Sequence, residues 1–273
     1  PAERTPPPRM APGSGRTEPY PVFINTPTNP VLAYSCTETV FRIATWQIDP
    51  HVAQIVAVTG PGPTTDEVVD LVDELRQRGI RTLMTSALTA GDQEAFRLAG
   101  FIPYEHLLLL HRSLTVRDQS LFKRRNLLSP SGLRTQPVKV ADRDAVLTLD
   151  QQAFSHTSPL WQVDHDTLVE ATRVTDEHRW RIVRRSRTNA GPAGHALTGR
   201  TGTTGFLQRI AVHPAAQKRG VGTALLADAL RWLVRSGARH AFVNTQPDNL
   251  QARALYKRFG FTIRPDGLKV LRL

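Results

Sequence analysis

Between Val212 and Leu225 the chain reads VHPAAQKRGVGTAL, a run whose residue types and spacing suit an anion. Gln217 offers a side-chain donor, Lys218 and Arg219 offer charge, and Gly220 and Gly222 stand where a strand gives way to a helix. The first N–H groups of a helix have no acceptor inside it, and its dipole makes that end partly positive. Glycines let the backbone come close to a phosphate and take conformations that a Cβ forbids. A second group lies in NLQARALYKRFGF, where Tyr256 carries a phenol that is protonated at neutral pH. Asn249 opens that run and suits a helix cap. A third group is FSHTSPLW, in which Phe154 and Trp161 are aromatic surfaces for a ligand or a core. Ser155 and His156 are adjacent in a loop and do not make a nucleophilic pair. The acidic run DHDT from Asp164 reads as helix capping by Asp164 or Asp166 rather than as a metal site, and no metal is expected.

The elements that must position these groups alternate between strand and helix. The opening 21 residues hold seven prolines and read as a disordered or extended tail, 1–21. PVFIN and TVFRIAT read as strands, TTDEVVDLVDELRQRG as a helix with Thr65 at its N-cap and Gly79 as its stop, and RTLMTSAL as a strand. GDQEAFRLAG is a short helix and FIPYEHLLLLHRSL a strand. The segment 115–134 is polar, carries KRR, and reads as a basic linker between a first domain, 22–114, and a second, 135–273. In the second, two helices are followed by three strands, WRIVRR, PAGHALTGR and TGFLQRIAVHP. A long amphipathic helix from Val221, the strand HAFVNTQ, a helix ending at Gly260 and a closing strand pair, FTIRPDGLKVLRL, complete it. An internal repeat joins the halves. Gly79–Phe101 and Gly237–Phe261 both run helix end, strand, loop, helix, Gly-Phe, with Phe96 in the place of Tyr256.

Composition bounds the chemistry. The chain has 273 residues, of which 40% are hydrophobic, enough for an ordinary globular core. Its net charge of +11 is lopsided: residues 1–133 hold 13 basic and 13 acidic residues, and residues 134–273 hold 22 and 11. An anionic ligand is therefore expected at the C-terminal half. Cys36 is the single cysteine, so no internal disulfide forms, which suits a reducing compartment. No apolar run is long enough for a spanning helix and no apolar signal segment opens the chain, so a cytoplasmic protein without a membrane partner is expected.

Taken together, LQRIAVHPAAQKRGVGTALLADAL and the later Asn249, Ala252, Leu255-Tyr256, Gly260-Phe261 series resemble the motifs of the GNAT-type N-acetyltransferases. The resemblance covers about residues 135–273. It implies an α/β fold of two tandem GNAT-like domains, each a mixed central sheet flanked by helices, the N-terminal one incomplete. It also implies acetyl-CoA as cosubstrate and direct acetyl transfer to a primary amine of a small molecule or protein. By that resemblance the diphosphate binds at Gln217, Lys218, Arg219, Gly220, Val221 and Gly222, and the pantetheine arm runs along Ile210, Ala211 and Val212. That strand then parts from HAFVNTQ. A backbone N–H near Val212 holds the oxyanion, Tyr256 protonates the thiolate, Asn249 positions the cofactor or caps its helix, and Phe154 and Trp161 line the acceptor pocket with RPDGLK.

One departure stands out. TGTTGFLQRIAV lacks the glutamate many family members carry near this strand, so the base is unassigned. Water, a backbone carbonyl, His213 and His195 are the options, with Glu170 a remote one. The N-terminal half, with acidic TGPGPTTDE where the glycine motif belongs, is expected to bind acetyl-CoA poorly and to shape the acceptor cleft or serve as scaffold. Three alternatives stay open: mycothiol-synthase-like acetylation of an amino-thiol precursor, a non-catalytic acyl-CoA sensor, and a nucleic-acid binder using RWRIVRRSR. Nucleic acid is not the expected partner, since arginines also solvate a surface and attract an anionic cofactor. The acceptor and the oligomeric state are not readable from the sequence.

Overall fold

The computed structural model describes residues 32–35, 39–45, 49–59, 62–115, 118, 133–157, 161–184 and 191–273. The proline-rich tail, the strand expected at PVFIN, Cys36 and nearly all of the basic linker lie outside these residues. Twelve strands form one mixed sheet. The N-terminal half supplies β1 (Leu32–Ser35), β2 (Val40–Thr45), β3 (Val52–Thr59), β4 (Thr82–Thr85) and β5 (Ile102–Ser113). It also supplies helices α1 (Thr65–Gln77) and α2 (Glu94–Leu98). The C-terminal half supplies β6 (Thr135–Pro137), α3 (Arg143–Ala153), α4 (His165–Ala171), β7 (Glu177–Arg184), β8 (Pro192–Thr201) and β9 (Thr204–Val212). It continues with α5 (Val221–Arg235), β10 (His240–Thr245), α6 (Leu250–Arg258), β11 (Thr262–Ile263) and β12 (Leu268–Arg272).

The strand order is β1-β2-β3-β4-β12-β5-β10-β9-β8-β7-β6, with β11 beside β5. The halves therefore trade strands. The last strand of the chain, β12, lies between β4 and β5, and β5 pairs along its other edge with β10 of the C-terminal half. The expected closing pair does not form a hairpin: β11 and β12 both hydrogen-bond to β5, at Leu110–His111 and Ile102–Leu107.

Alternation along these strands divides the core between the two faces. On one face Leu110 joins Leu225, Leu226 and Leu230 of α5 and Tyr256 of α6 in the largest cluster. On the same chain Leu271 turns into a second cluster under α1 and α2, with Leu71 and Phe96. On the opposite face Leu107, Leu109, Leu268 and Val270 pack with Trp161. Beyond them α3 and α4 cover the sheet through Val146, Leu168 and Ile182.

The helix starts follow their caps. Thr64, one residue before the threonine expected from sequence, caps α1: its hydroxyl accepts the Glu67 N–H while the Glu67 carboxylate accepts the Thr64 N–H at 3.0 Å. Asp164 caps α4 through the Thr167 N–H at 2.8 Å. Its carboxylate is thereby accounted for without a metal. The strand Val52–Thr59 is passed over in the sequence because its apolar run, VAQIVAVT, directly precedes a glycine-proline turn and lacks clean alternation. No described helix is long and apolar enough to cross a membrane.

Candidate active site

The segment from His213 to Gly222 is shaped by its own hydrogen bonds and two left-handed residues. Pro214–Ala216 make one 3-10 turn, capped by the His213 Nδ1, which accepts the Ala215 N–H at 3.1 Å. Lys218 follows with φ of +58° and Gly220 with φ of +82°, both in the left-handed region. Gly220 is the N-cap of α5 and no side chain caps it. Among the described residues the N–H groups of Lys218, Arg219 and Gly220 make no backbone hydrogen bond, and the first bond into the helix is Ala224 N–H to Gly220 O. The first turn holds no acidic residue. The result is a run of N–H groups without backbone acceptors at a positive helix end, with Lys218 and Arg219 exposed beside it. At Gly222 a Cβ would sit 3.2 Å from the Leu255 side chain, which would have to shift slightly to admit it.

Beside this loop β9 leaves its neighbour. β10 pairs with β9 in parallel only at His240–Phe242 against Thr204–Phe206. Past that point β9 runs on to Val212 and β10 to Thr245 without pairing. A bulge coincides with the parting: Leu197 faces Arg209 and Thr198 faces Leu207, leaving Gln208 as the extra residue. Ile210, Ala211 and Val212 thus keep one edge open to a ligand with amide groups.

Tyr256 is wholly buried in the core beneath α5, its ring 5.8 Å from Phe261. Burial pushes its phenol well above the ordinary tyrosine range, so it stays protonated at any physiological pH. Asn249 caps α6, its Oδ1 accepting the Ala252 N–H at 3.0 Å.

The opposite face of β9 carries a buried charged network. Asp150 of α3 accepts from Arg209 Nε at 2.9 Å and lies 2.8 Å from His195 Nε2. Burial alone would raise the Asp150 carboxyl, but Arg209 and His195 outweigh it and hold it down at about 2. Arg209 also stacks on the Phe154 ring at 3.7 Å and donates to the Trp161 carbonyl at 2.7 Å. The network brings Phe154 and Trp161 together, with Trp161 buried in the core beside Leu107, Leu268 and Val270.

It also disposes of His195 as a base. The ring is fully buried, the Trp180 indole N–H points at its Nδ1 at 3.3 Å, and Asp150 takes its Nε2. Glu170 is remote as well: it pairs with Arg42 of the N-terminal half at 3.0 Å. The sequence reading missed another carboxylate. Glu105 of β5 accepts the Trp161 indole N–H at 2.6 Å. No local signal marks it, because its neighbours in space come from residues more than fifty positions away.

The basic strand β7 is largely spent inside the fold. Arg179 bonds Asp228 of α5 at 2.8 Å, Arg181 donates to the Thr135 carbonyl at 2.9 Å, and Arg184 reaches Asp142 at 2.6 Å. Burial opposes ionisation of Asp228, yet the hydrogen bond from Arg179 and the charges of Arg179 and Arg181 keep its carboxyl below the usual range.

With this geometry in hand, similarity to known proteins is informative. Residues 144–261 match the acetyltransferase (GNAT) family. A mycothiol acetyltransferase of Acidothermus cellulolyticus is 26% identical over 240 residues, covering 78% of this chain and 73% of that one. A second mycothiol acetyltransferase, from Saccharomonospora viridis, is 29% identical over 150 residues, 50% of this chain and 48% of that one. Among solved structures, a tandem GNAT protein from the clavulanic acid biosynthesis pathway superposes with a TM-score of 0.64 at 14% identity, over 86% of this chain and 78% of that one. A GCN5-related N-acetyltransferase from Kribbella flavida gives 0.56 at 16% identity, over 89% and 88%.

The fold is that of tandem GNAT proteins, and the segment 144–261 is a GNAT acetyltransferase domain. The protein that carries it is an acetyl-CoA-dependent N-acetyltransferase.

Proposed function

We propose that the donors from Gln217 to Gly222 hold the diphosphate of acetyl-CoA, with the pantetheine arm lying along Ile210–Val212. The observation that carries this is the uncapped start of α5, set beside a strand edge that has lost its partner. The acceptor is a primary amine of a small molecule or a protein. Its nitrogen, once neutral, attacks the thioester carbon, the C–S bond breaks, and the nitrogen loses a proton to water as the amide forms. A backbone N–H near Val212 stabilises the oxyanion. Tyr256, which burial keeps protonated, gives its proton to the leaving thiolate. The two named relatives are mycothiol acetyltransferases, and an amino-thiol precursor of that kind is the first acceptor to try.

The N-terminal half, 22–114, is a degenerate GNAT-like domain in this reading, and it binds acetyl-CoA poorly. The self-capped, acidic start of α1 supports that assignment. A cytoplasmic setting supplies both the cosubstrate and the reducing conditions that a single cysteine suits.

Tyr256→Phe tests the mechanism. Calorimetry should give an acetyl-CoA affinity within about twofold of wild type, while thiol release falls by about 100-fold or more, the usual contribution of a general acid. An undiminished rate removes Tyr256 from the chemistry, and absence of acetyl-CoA binding by the folded wild type removes the site.

A further inference from the structure

Two acids of the catalytic half, Asp150 and Glu170, are already engaged. Asp150 is fully buried and committed to Arg209 and His195. Glu170 is paired with Arg42. Glu105 differs from both. It is half-buried, one oxygen takes the Trp161 indole N–H at 2.6 Å, and its Oε1 has no partner among the described residues. The guanidinium on that face, Arg209, is already held by Asp150 and by the Trp161 carbonyl.

Its position fits an acceptor. Trp161 is a bridge: its carbonyl accepts from Arg209, the residue just past the β9 bulge, and its indole N–H reaches Glu105 on β5. The last pairing of β10 with β5 is Thr245 with Leu108, and Glu105 lies three residues beyond it, towards the end at which β9 and β10 part. A half-buried carboxylate with one free oxygen attracts an ammonium by charge and can accept its N–H.

We infer that Glu105, contributed by the N-terminal half, binds the ammonium group of the acceptor and so selects cationic primary amines. This rests on the N-acetyltransferase reading of the same site. It gives the N-terminal half a chemical role without a second cofactor site: the acceptor pocket is shared between β5 of one half and α3 and β9 of the other.

The test uses the full chain, with spermidine, glucosamine, tyramine and an alanyl peptide as acceptors, thiol release as the rate and calorimetry for acetyl-CoA. Glu105→Gln keeps the shape and an oxygen for Trp161 but removes the charge. With the best acceptor, its KM should rise 10-fold or more, while kcat stays within threefold and the acetyl-CoA Kd within twofold. Glu105→Asp should raise KM less than Gln does; if the Gln variant fails to fold, a threefold or greater rise with Asp supports the inference. A KM within twofold of wild type in the folded variant overturns it, leaving the acetyltransferase reading intact. A wild type that binds acetyl-CoA but acetylates none of the four amines counts against the amine pocket itself, and the inference falls with it.

Discussion

The two repeats start their long helices in opposite ways. In the N-terminal half α1 is closed by its own side chains: Thr64 and Glu67 satisfy each other's N–H groups, and Asp66 adds a second negative charge to the first turn. In the C-terminal half α5 begins at a left-handed glycine, with no side-chain cap and no acid. The rest of the two units is closely alike. Gly79 and Gly237 have φ of +85° and +88°, and Gly100 and Gly260 have +93° and +77°. Phe101 N–H bonds the Phe96 carbonyl at 3.0 Å, and Phe261 N–H bonds the Tyr256 carbonyl at 3.1 Å. The ring pairs sit 5.4 and 5.8 Å apart. What separates the two units is thus a handful of side chains at one helix start and the one hydroxyl that Tyr256 has and Phe96 lacks. A self-capped helix is more stable and has fewer donors to spare. An uncapped one gives up local stability and keeps its donors for an anion.

The largest effect comes from separating the halves. A chain begun at residue 134 lacks β5, so β10 loses its antiparallel neighbour and both β11 and β12 lose the strand they bond to. Circular dichroism of that fragment should show no cooperative thermal transition. A sharp melt would mean that each half folds alone.

Next is Asp150→Asn. It leaves the Arg209 guanidinium without its buried counter-charge, which costs about 3–5 kcal/mol in urea unfolding. A loss below about 1 kcal/mol would mean that water or another group already screens Arg209. The pH dependence has a definite sign. The Asp150 carboxyl sits near 2 in the folded chain, below an unfolded value of about 3.9, so its contribution is present above pH ~4 and lost as pH falls towards 2. The variant should lack that acid-side decline.

Phe96→Tyr asks whether the hydroxyl alone converts the scaffold. It places an unpartnered O–H in a buried site and should cost about 1–3 kcal/mol. Calorimetry should still find a single acetyl-CoA site, and a second one would show that the capped α1 start is no barrier. The smallest effect is Thr64→Ala, which removes the cap and should lower stability by about 1 kcal/mol with no change in turnover.

The sequence by itself determined whatever depends on near neighbours. Glycines at left-handed positions, the Asp164 and Asn249 caps and the amphipathic α5 all follow from residues within one or two turns, because φ limits and orphan N–H groups act locally. Only the tertiary structure decided which strands are neighbours. Nothing in FIPYEHLLLLHRSL says that it will stand between β10 and β12, since both partners lie more than a hundred residues away and strand pairing is specified by shape and burial across that distance. The same long reach hid Glu105 behind an ordinary strand and showed His195 to be a buried structural group: the indole and the carboxylate that fix their roles arrive from other elements.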